Sequence, residues 1–344
     1  MNKNIKTYDK SNLRQVILTV PDQFKEGFSL AKNVKISGNF NKIMISGMGG
    51  SALPGNILRT YQNNLLTKNK EYAILKIYQN RFYNLPNEAY SKCLNIICSH
   101  SGNTEETIAS FKQALNKNLL CVGISSGGKI EEMCKANNIP HIKLPIPSEN
   151  FQPRMATGHF VSVIIQLLIN ANKLPDRTSE ILKSADKLLK LIPTLESQGK
   201  LLAKKLIGKT PIIYSTVEFK PLSLIWKIKF NENSKIPAFW NVFPELNHNE
   251  FVGFTNPQAN YFIIMLRNKN GHPRNLKRYN ITTKFLQQKG IDVEVIDIPE
   301  GEIMYRLFSS LALCDWTSYY LALEYKIDPT PVDMVNDLKK ELTK

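Results

Sequence analysis

Ser46-Gly47-Met48-Gly49-Gly50-Ser51 is the stretch on which the reading of this chain turns. A second stretch of the same kind is Ser99-His100-Ser101-Gly102-Asn103-Thr104-Glu105-Glu106. Each follows an apolar run (42–46 and 94–99) and precedes a helical pattern (52–61 and 105–114). A strand, a turn of glycine and hydroxyl residues, then a helix is a way to build an anion site. The glycines let backbone N–H groups turn toward the anion. The helix start adds unpaired N–H donors and a partial positive charge. Two such turns in one domain predict a phosphorylated ligand held at two strand ends. The candidate contacts are Gly49, Gly50, Ser51, Ser99, Ser101 and Thr104. A plainer reading makes the glycines packing devices and Thr104 a helix N-cap ahead of Glu105 and Glu106. No Lys follows either turn at the place a Walker loop requires, which argues against nucleoside triphosphate transfer.

Outward from these turns, strand and helix signals alternate. Further apolar runs stand at 73–78, 119–125 and 141–144, with a helical pattern at 129–136. This alternation predicts βαβ units and a parallel sheet with helices on both faces. In such sheets ligands bind beyond the carboxyl ends of the strands, at a switch point. Both serine turns occupy that position, and Ser125-Ser126-Gly127-Gly128 forms a third turn there. A long apolar helix is expected at 155–171, a break at 172–178, and helices at 179–191 and 194–207. Strands follow at 211–215, 261–267 and 292–298, with helices at 222–230, 273–288 and 304–325. Asp328-Pro329-Thr330-Pro331 is a stop-and-start signal before a short last helix at 332–342. The pattern predicts two similar α/β sandwiches, the second without the glycine-serine turns.

Composition bounds the remaining choices. A chain of 344 residues, 42% apolar and 22% charged, has room for about two globular domains. The most apolar stretch, 160–169, is interrupted by Ser162 and Gln166 and is too short to cross a membrane. Residues 1–14 are polar, with no apolar signal core, so a cytoplasmic protein is expected. The 5 cysteines are scattered, without metal-ligand spacing, and read as reduced buried thiols. The net charge of +16 comes mostly from dispersed Lys, and no nucleic-acid motif accompanies it. It reads as a solvated basic surface, or as a field that draws in an anionic small substrate.

The two serine turns resemble the sugar-isomerase (SIS) domain signature. Asn231-Glu232-Asn233-Ser234-Lys235-Ile236-Pro237-Ala238 and Pro244-Glu245-Leu246-Asn247-His248-Asn249-Glu250 narrow the resemblance. Pro153-Arg154, Asp315-Trp316, Asp328-Pro329-Thr330-Pro331 and Leu338-Lys339 also fit. Together they resemble the bifunctional phosphoglucose/phosphomannose isomerases, a branch of the phosphoglucose isomerase superfamily. The resemblance implies an α/β protein of two SIS-type three-layer sandwich domains, each a mainly parallel sheet flanked by helices. Residues 1–174 would carry the phosphate-binding turns, and 175–344 the catalytic Glu and His.

The implied activity is an aldose–ketose isomerisation that needs neither metal nor cofactor. Glucose 6-phosphate, and with it mannose 6-phosphate, would be interconverted with fructose 6-phosphate through an enediol(ate). By the same resemblance Glu232 is the base, His248 opens the sugar ring, and Arg154 stabilises the enediolate. Lys339, with Lys340 as near neighbour, acts from the last helix. The family's His comes from the neighbouring subunit, which implies a homodimer; no nucleic acid or membrane partner is implied. The residue types suit these tasks: His titrates near neutrality, Glu serves as a base where its site tunes it upward, and cations stabilise a developing oxyanion.

Pattern alone would make Glu232 a surface carboxylate at a helix end and His248 part of an Asn-rich turn. Glu245 and Glu250 could orient the imidazole or replace Glu232 as base. Thr330 is a candidate for giving room at C2 and C3. His100, where the family commonly has an aromatic residue, reads as structural or as a substrate contact. The other departures are Ser234 in place of Ala and the segment Met155-Ala156-Thr157. Competing readings are a non-catalytic SIS-domain sugar-phosphate sensor, which needs only the hydroxyl set, and an isomerase of an amino-sugar or pentose phosphate.

Overall fold

The run Cys93–Cys98 is buried at every position, as a parallel strand covered on both faces must be. In the computed structural model, which describes residues 7–68, 75–148 and 150–342, it is the middle strand of a five-stranded sheet. In chain order the strands are β1 (Lys42–Ser46), β2 (Lys76–Asn80), β3 (Cys93–Cys98), β4 (Cys121–Ser125) and β5 (His141–Lys143). All are parallel and lie in the order β2-β1-β3-β4-β5. The chain leaves β1 to build one side and returns to build the other from β3. The switch point therefore lies at the carboxyl ends of β1 and β3, where both serine turns begin.

Helices Leu53–Lys68, Glu105–Asn116 and Gly128–Ala136 make the crossovers. Helix Thr157–Asn170 is buried along most of its length and packs on helix Asp22–Ala31. The approach is close because Gly27 and Gly158 carry no side chain. A Cβ on Gly27 would stand 2.0 Å from Ser162 Oγ, and one on Gly158 would stand 2.9 Å from Gln23.

A second, four-stranded parallel sheet contains β6 (Thr210–Thr216), β7 (Phe239–Phe243), β8 (Tyr261–Arg267) and β9 (Asp292–Asp297), in the order β7-β6-β8-β9. Helices Lys220–Lys229, Pro273–Gln288 and Ile303–Glu324 accompany it, and the short helix Asp333–Leu342 ends the described chain. The architecture is the predicted one: two parallel sheets with flanking helices.

The chain resolves into two compact units. One holds 19–189 with 302–304; the other holds 190–301, the residues from Tyr305 onward, and the segment before Thr19. Residues 7–18 belong with the later part of the chain. Asp9 explains their attachment. Its carboxylate accepts the Leu13 and Arg14 N–H groups at 2.6 and 3.0 Å and the Tyr319 hydroxyl at 3.0 Å.

Some local expectations change. The two helices expected at 179–191 and 194–207 are one helix, Thr178–Lys205, with Pro193 inside it. Proline costs a helix one hydrogen bond, but buried Leu188, Ile192 and Leu195 hold both flanks in place. Strand β7 and helices Leu13–Leu18 and Asp22–Ala31 are additional elements. The strand expected at 73–78 starts at Lys76; residues 73 and 74 lie outside the described ones. No described helix is long and apolar enough to cross a membrane. All 5 cysteines are buried and free.

Candidate active site

The first serine turn is shaped by what a side chain would strike. A Cβ on Gly47 would meet the Cys98 carbonyl oxygen at 2.7 Å, and one on Gly50 would meet the Arg154 backbone nitrogen at 2.5 Å. Gly50 thus lets the Pro153–Met155 turn lie directly on the first serine turn. Gly49 has φ +48 and open space around it. In the second turn Gly102 has φ +70, and a Cβ there would overlap the Gly127 carbonyl oxygen at 1.7 Å. The third turn therefore packs on the second. Ser126 donates from its N–H and hydroxyl to the His100 carbonyl at 2.8 and 2.5 Å.

The hydroxyls gather at the switch point. Ser51 Oγ accepts the His100 N–H at 3.0 Å. Ser99 Oγ lies 2.8 Å from Thr104 Oγ1 and 3.5 Å from Ser101 Oγ. The Gly102 and Asn103 N–H groups donate to Ser99 Oγ and Ser101 Oγ at 3.1 and 3.3 Å. Thr104 stands at the N-cap of helix Glu105–Asn116 but makes no capping hydrogen bond. Its hydroxyl is committed to Ser99 instead. The result is a half-open cup of hydroxyls, glycine N–H groups and a helix start, a suitable receptor for an oxyanion.

Arg154 is 1% exposed, and its Nη1 donates to Gln152 Oε1 at 3.3 Å. Sequence reasoning missed the residue that braces this segment. Gln23 donates to the Met155 carbonyl at 2.7 Å and accepts the Gly158 N–H at 3.1 Å, so one buried amide fixes the chain on both sides of the turn. No local pattern marks Gln23, because its partners lie far along the chain. His100 is buried rather than exposed, with its ring 5.2 Å from that of Phe151. Burial, and then His159, push its pKa down to about 4 against the pull of the Pro145 carbonyl.

The corresponding crevice of the second sheet, at the ends of β6 and β8, is filled by the chain itself. Arg306 lies over the Phe219 ring at 4.7 Å and donates to Asn268 Oδ1 at 2.7 Å; Asn268 donates to Glu218 at 3.2 Å. That unit contributes elsewhere. Glu232, half-buried, sits in a π-helical turn, Phe230–Ser234, that prolongs helix Lys220–Lys229. Such single turns recur at functional sites. Asn233 donates to Ser318 Oγ at 2.9 Å, and the Ser234 hydroxyl donates to the Ser318 carbonyl at 2.8 Å. Lys235, at φ +57, donates to the Glu232 carbonyl at 2.5 Å and the Pro329 carbonyl at 3.2 Å. This ties the Asp328–Pro331 signal to the Glu232 turn, with Thr330 buried beside it.

His248 follows a short turn, Glu245–Asn247, and is exposed. Its imidazole makes no hydrogen bond or ion pair among the described residues. Neither flanking carboxylate orients it: Glu245 accepts from Asn249 at 2.8 Å, while Glu250 accepts from Tyr214 and Asn241, each at 2.5 Å. Glu250 is thereby committed to the fold. On the last helix Lys339 and Lys340 are both exposed, and Lys340 pairs with Asp337 at 3.1 Å. Among the described residues no cluster of three or more His, Cys, Asp or Glu could hold a metal ion.

A bifunctional phosphoglucose/phosphomannose isomerase of Caldicellulosiruptor bescii is 34% identical, over 95% of this chain and 97% of that protein. The chain belongs to the bifunctional phosphoglucose/phosphomannose isomerase family. A member from Aquifex aeolicus is 31% identical, over 89% of this chain and 91% of its own length. Residues 195–342 match the bacterial phospho-glucose isomerase C-terminal SIS domain. The fold is also that of the C-terminal domain of glucosamine-fructose-6-phosphate aminotransferase from Francisella tularensis. That structure aligns with a TM-score of 0.68 at 16% identity, covering 94% of this chain and 98% of that one.

Proposed function

We propose that this protein is an aldose–ketose isomerase that interconverts glucose 6-phosphate and mannose 6-phosphate with fructose 6-phosphate. The observation that carries the reading is the cup of Ser51, Ser99, Ser101 and Thr104 hydroxyls at the β1/β3 switch point, in a chain that matches its isomerase relatives nearly end to end. In this account the cup, with the N–H groups of Gly49 and Gly50, anchors the phosphate. His248 moves the proton that opens the ring. Glu232 removes the proton from C2 and returns it to C1, so the carbonyl and hydroxyl exchange places with no net change in protons or electrons. Arg154 supplies positive charge to the enediolate oxygens, and Lys339 assists from the last helix. The two C2 epimers share one enediol, so one base serves both. The reaction as written requires no metal or cofactor.

The exposed, unpartnered imidazole of His248 supports its donation to the site of a neighbouring subunit in a homodimer. The buried free thiols support a reducing, cytoplasmic setting. A coupled assay starting from fructose 6-phosphate, with glucose 6-phosphate and mannose 6-phosphate followed separately, tests the reading. The variant Glu232→Gln is expected to lower kcat by about 10²- to 10⁴-fold while inorganic phosphate inhibits or binds as before. A kcat near that of the unaltered protein would overturn the assignment of the base. Binding without turnover in the unaltered protein would make the chain a sensor.

A further inference from the structure

Strand β2 is an edge of the first sheet, bonded to β1 alone. Its last two residues, Gln79 and Asn80, have no part in the proposed reaction. Successive side chains of a strand point to opposite faces, so the two reach different helices. On one face Gln79 Nε2 donates to the Ala52 carbonyl at 2.6 Å. Ala52 closes the turn Gly49–Ala52, which holds Gly49, Gly50 and Ser51. Strand and helix Leu53–Lys68 come this close because Gly55 has no side chain; a Cβ there would stand 2.7 Å from Gln79. On the other face Asn80, 5% exposed, donates from Nδ2 to Ser110 Oγ at 2.9 Å. Ser110 is fully buried on helix Glu105–Asn116, which has Thr104 as its N-cap. The Ser110 hydroxyl has the Phe82 and Tyr83 carbonyls in reach at 3.1 and 3.2 Å, and Asn80 Nδ2 also lies 3.3 Å from the Phe82 carbonyl. Gln113, one turn further on, accepts the Leu85 N–H at 2.7 Å. The chain leaving β2 is thereby fastened to that helix. Between the two side chains, the Asn80 main-chain carbonyl accepts the Gly47 N–H at 3.1 Å, where the first serine turn begins.

We propose that Gln79 and Asn80 are positioning residues for phosphate binding: the end of the edge strand clamps both serine turns from outside the cup. Gln79 holds the close of the first turn, and the Asn80 carbonyl holds its start. The Asn80 amide holds the helix that begins at the second turn. An oxyanion is bound well only where several donors converge, and a shift of roughly 0.5 Å spoils the convergence. Strand β2 has no neighbour on its outer side, so side-chain bonds fix its end where an interior strand would have a second ladder. The phosphate is held throughout the reaction, so a loosened clamp weakens ground-state and transition-state binding together and raises KM without lowering kcat. The proposal rests on the reading of the cup as a phosphate site.

The test separates the two arms of the clamp. Gln79→Met keeps the length of the side chain and its packing on Gly55 but cannot donate to Ala52. Asn80→Ala removes the bond to Ser110. In each variant KM for fructose 6-phosphate and the Kd for inorganic phosphate are expected to rise about 5- to 10-fold, with kcat within about twofold. Ile77→Val trims the same strand outside the clamp and should leave both constants where they were. Gln79 is half-buried, so Gln79→Met decides the matter by itself should Asn80→Ala fail to fold. Unchanged phosphate affinity in folded Gln79→Met would overturn the clamp while leaving the cup standing. A fall in kcat at unchanged KM would also overturn it, since that places the residue in the chemical step. Absence of phosphate binding by the unaltered protein would overturn both cup and clamp.

Discussion

His100 shows how one side chain can belong to packing and to a binding site together. Its ring is buried against Phe151, and its main chain joins the first and third turns. Burying an imidazole carries a cost in acid. Burial lowers its pKa from the ordinary 6.5 to about 4, so between those values the unfolded chain binds a proton that the folded chain refuses. The stability contribution is complete above about pH 6.5 and falls as the pH drops toward 4, by an amount on the order of 3 kcal/mol. Urea unfolding at a series of pH values is expected to show this decline and to show it flattened in His100→Phe. Residues of this kind were only partly legible. The hydroxyl set could be named from spacing because strand-turn-helix places side chains at predictable points. That Thr104 would turn to Ser99 rather than cap its helix depends on a residue on the other side of the turn.

At the scale of elements, the Glu232 turn depends on its support by helix Ile303–Glu324. Just before the π-helical turn, Lys229 Nζ meets Asp315 Oδ1 at 2.6 Å, with both side chains at or below 5% exposure. Asn233 and Ser234 then bond to Ser318, one turn further along the same helix. Removing one member of a buried pair leaves a charge in low dielectric. Asp315→Ala is therefore expected to cost about 3–5 kcal/mol of unfolding free energy. The double variant Lys229→Met/Asp315→Leu should lose much less, since it removes both charges. Chemical denaturation of the two proteins measures the difference. Neither the π-helical turn nor this pairing was visible in the chain, because the partners are separated by 86 residues and helical periodicity reports only local neighbours. Pro193 misled in the same way: a breaker by local rules, it stays inside a helix whose flanks are buried. Strand β7 escaped notice because its aromatic run, with Phe239 54% exposed, lacks the fully buried pattern of the interior strands.

For the whole molecule, the proposed donation of His248 across subunits makes a quantitative prediction. Glu232→Gln and His248→Ala should each be nearly inactive alone. Mixed and allowed to exchange subunits, random pairing makes half the dimers heterodimers, each with one site that has both groups. About a quarter of the unaltered activity should return. No recovery under proven subunit exchange would place His248 in the same chain as the Glu232 it serves. Some of this could be read from residue order alone: two parallel sheets, the switch-point position of the serine turns, and the family to which the chain belongs. Those follow from short-range rules, namely apolar periodicity, glycine conformation and the geometry of βαβ crossovers. Which polar groups meet followed from folding. The return of residues 7–18 to the later unit through Asp9 and Tyr319, the bracing of Met155 by Gln23, the filling of the second crevice by Arg306, and the burial of His100 and His159 all join residues distant in the chain. Such contacts have no periodic signature, because they are selected by the shape and polarity of the packed interior.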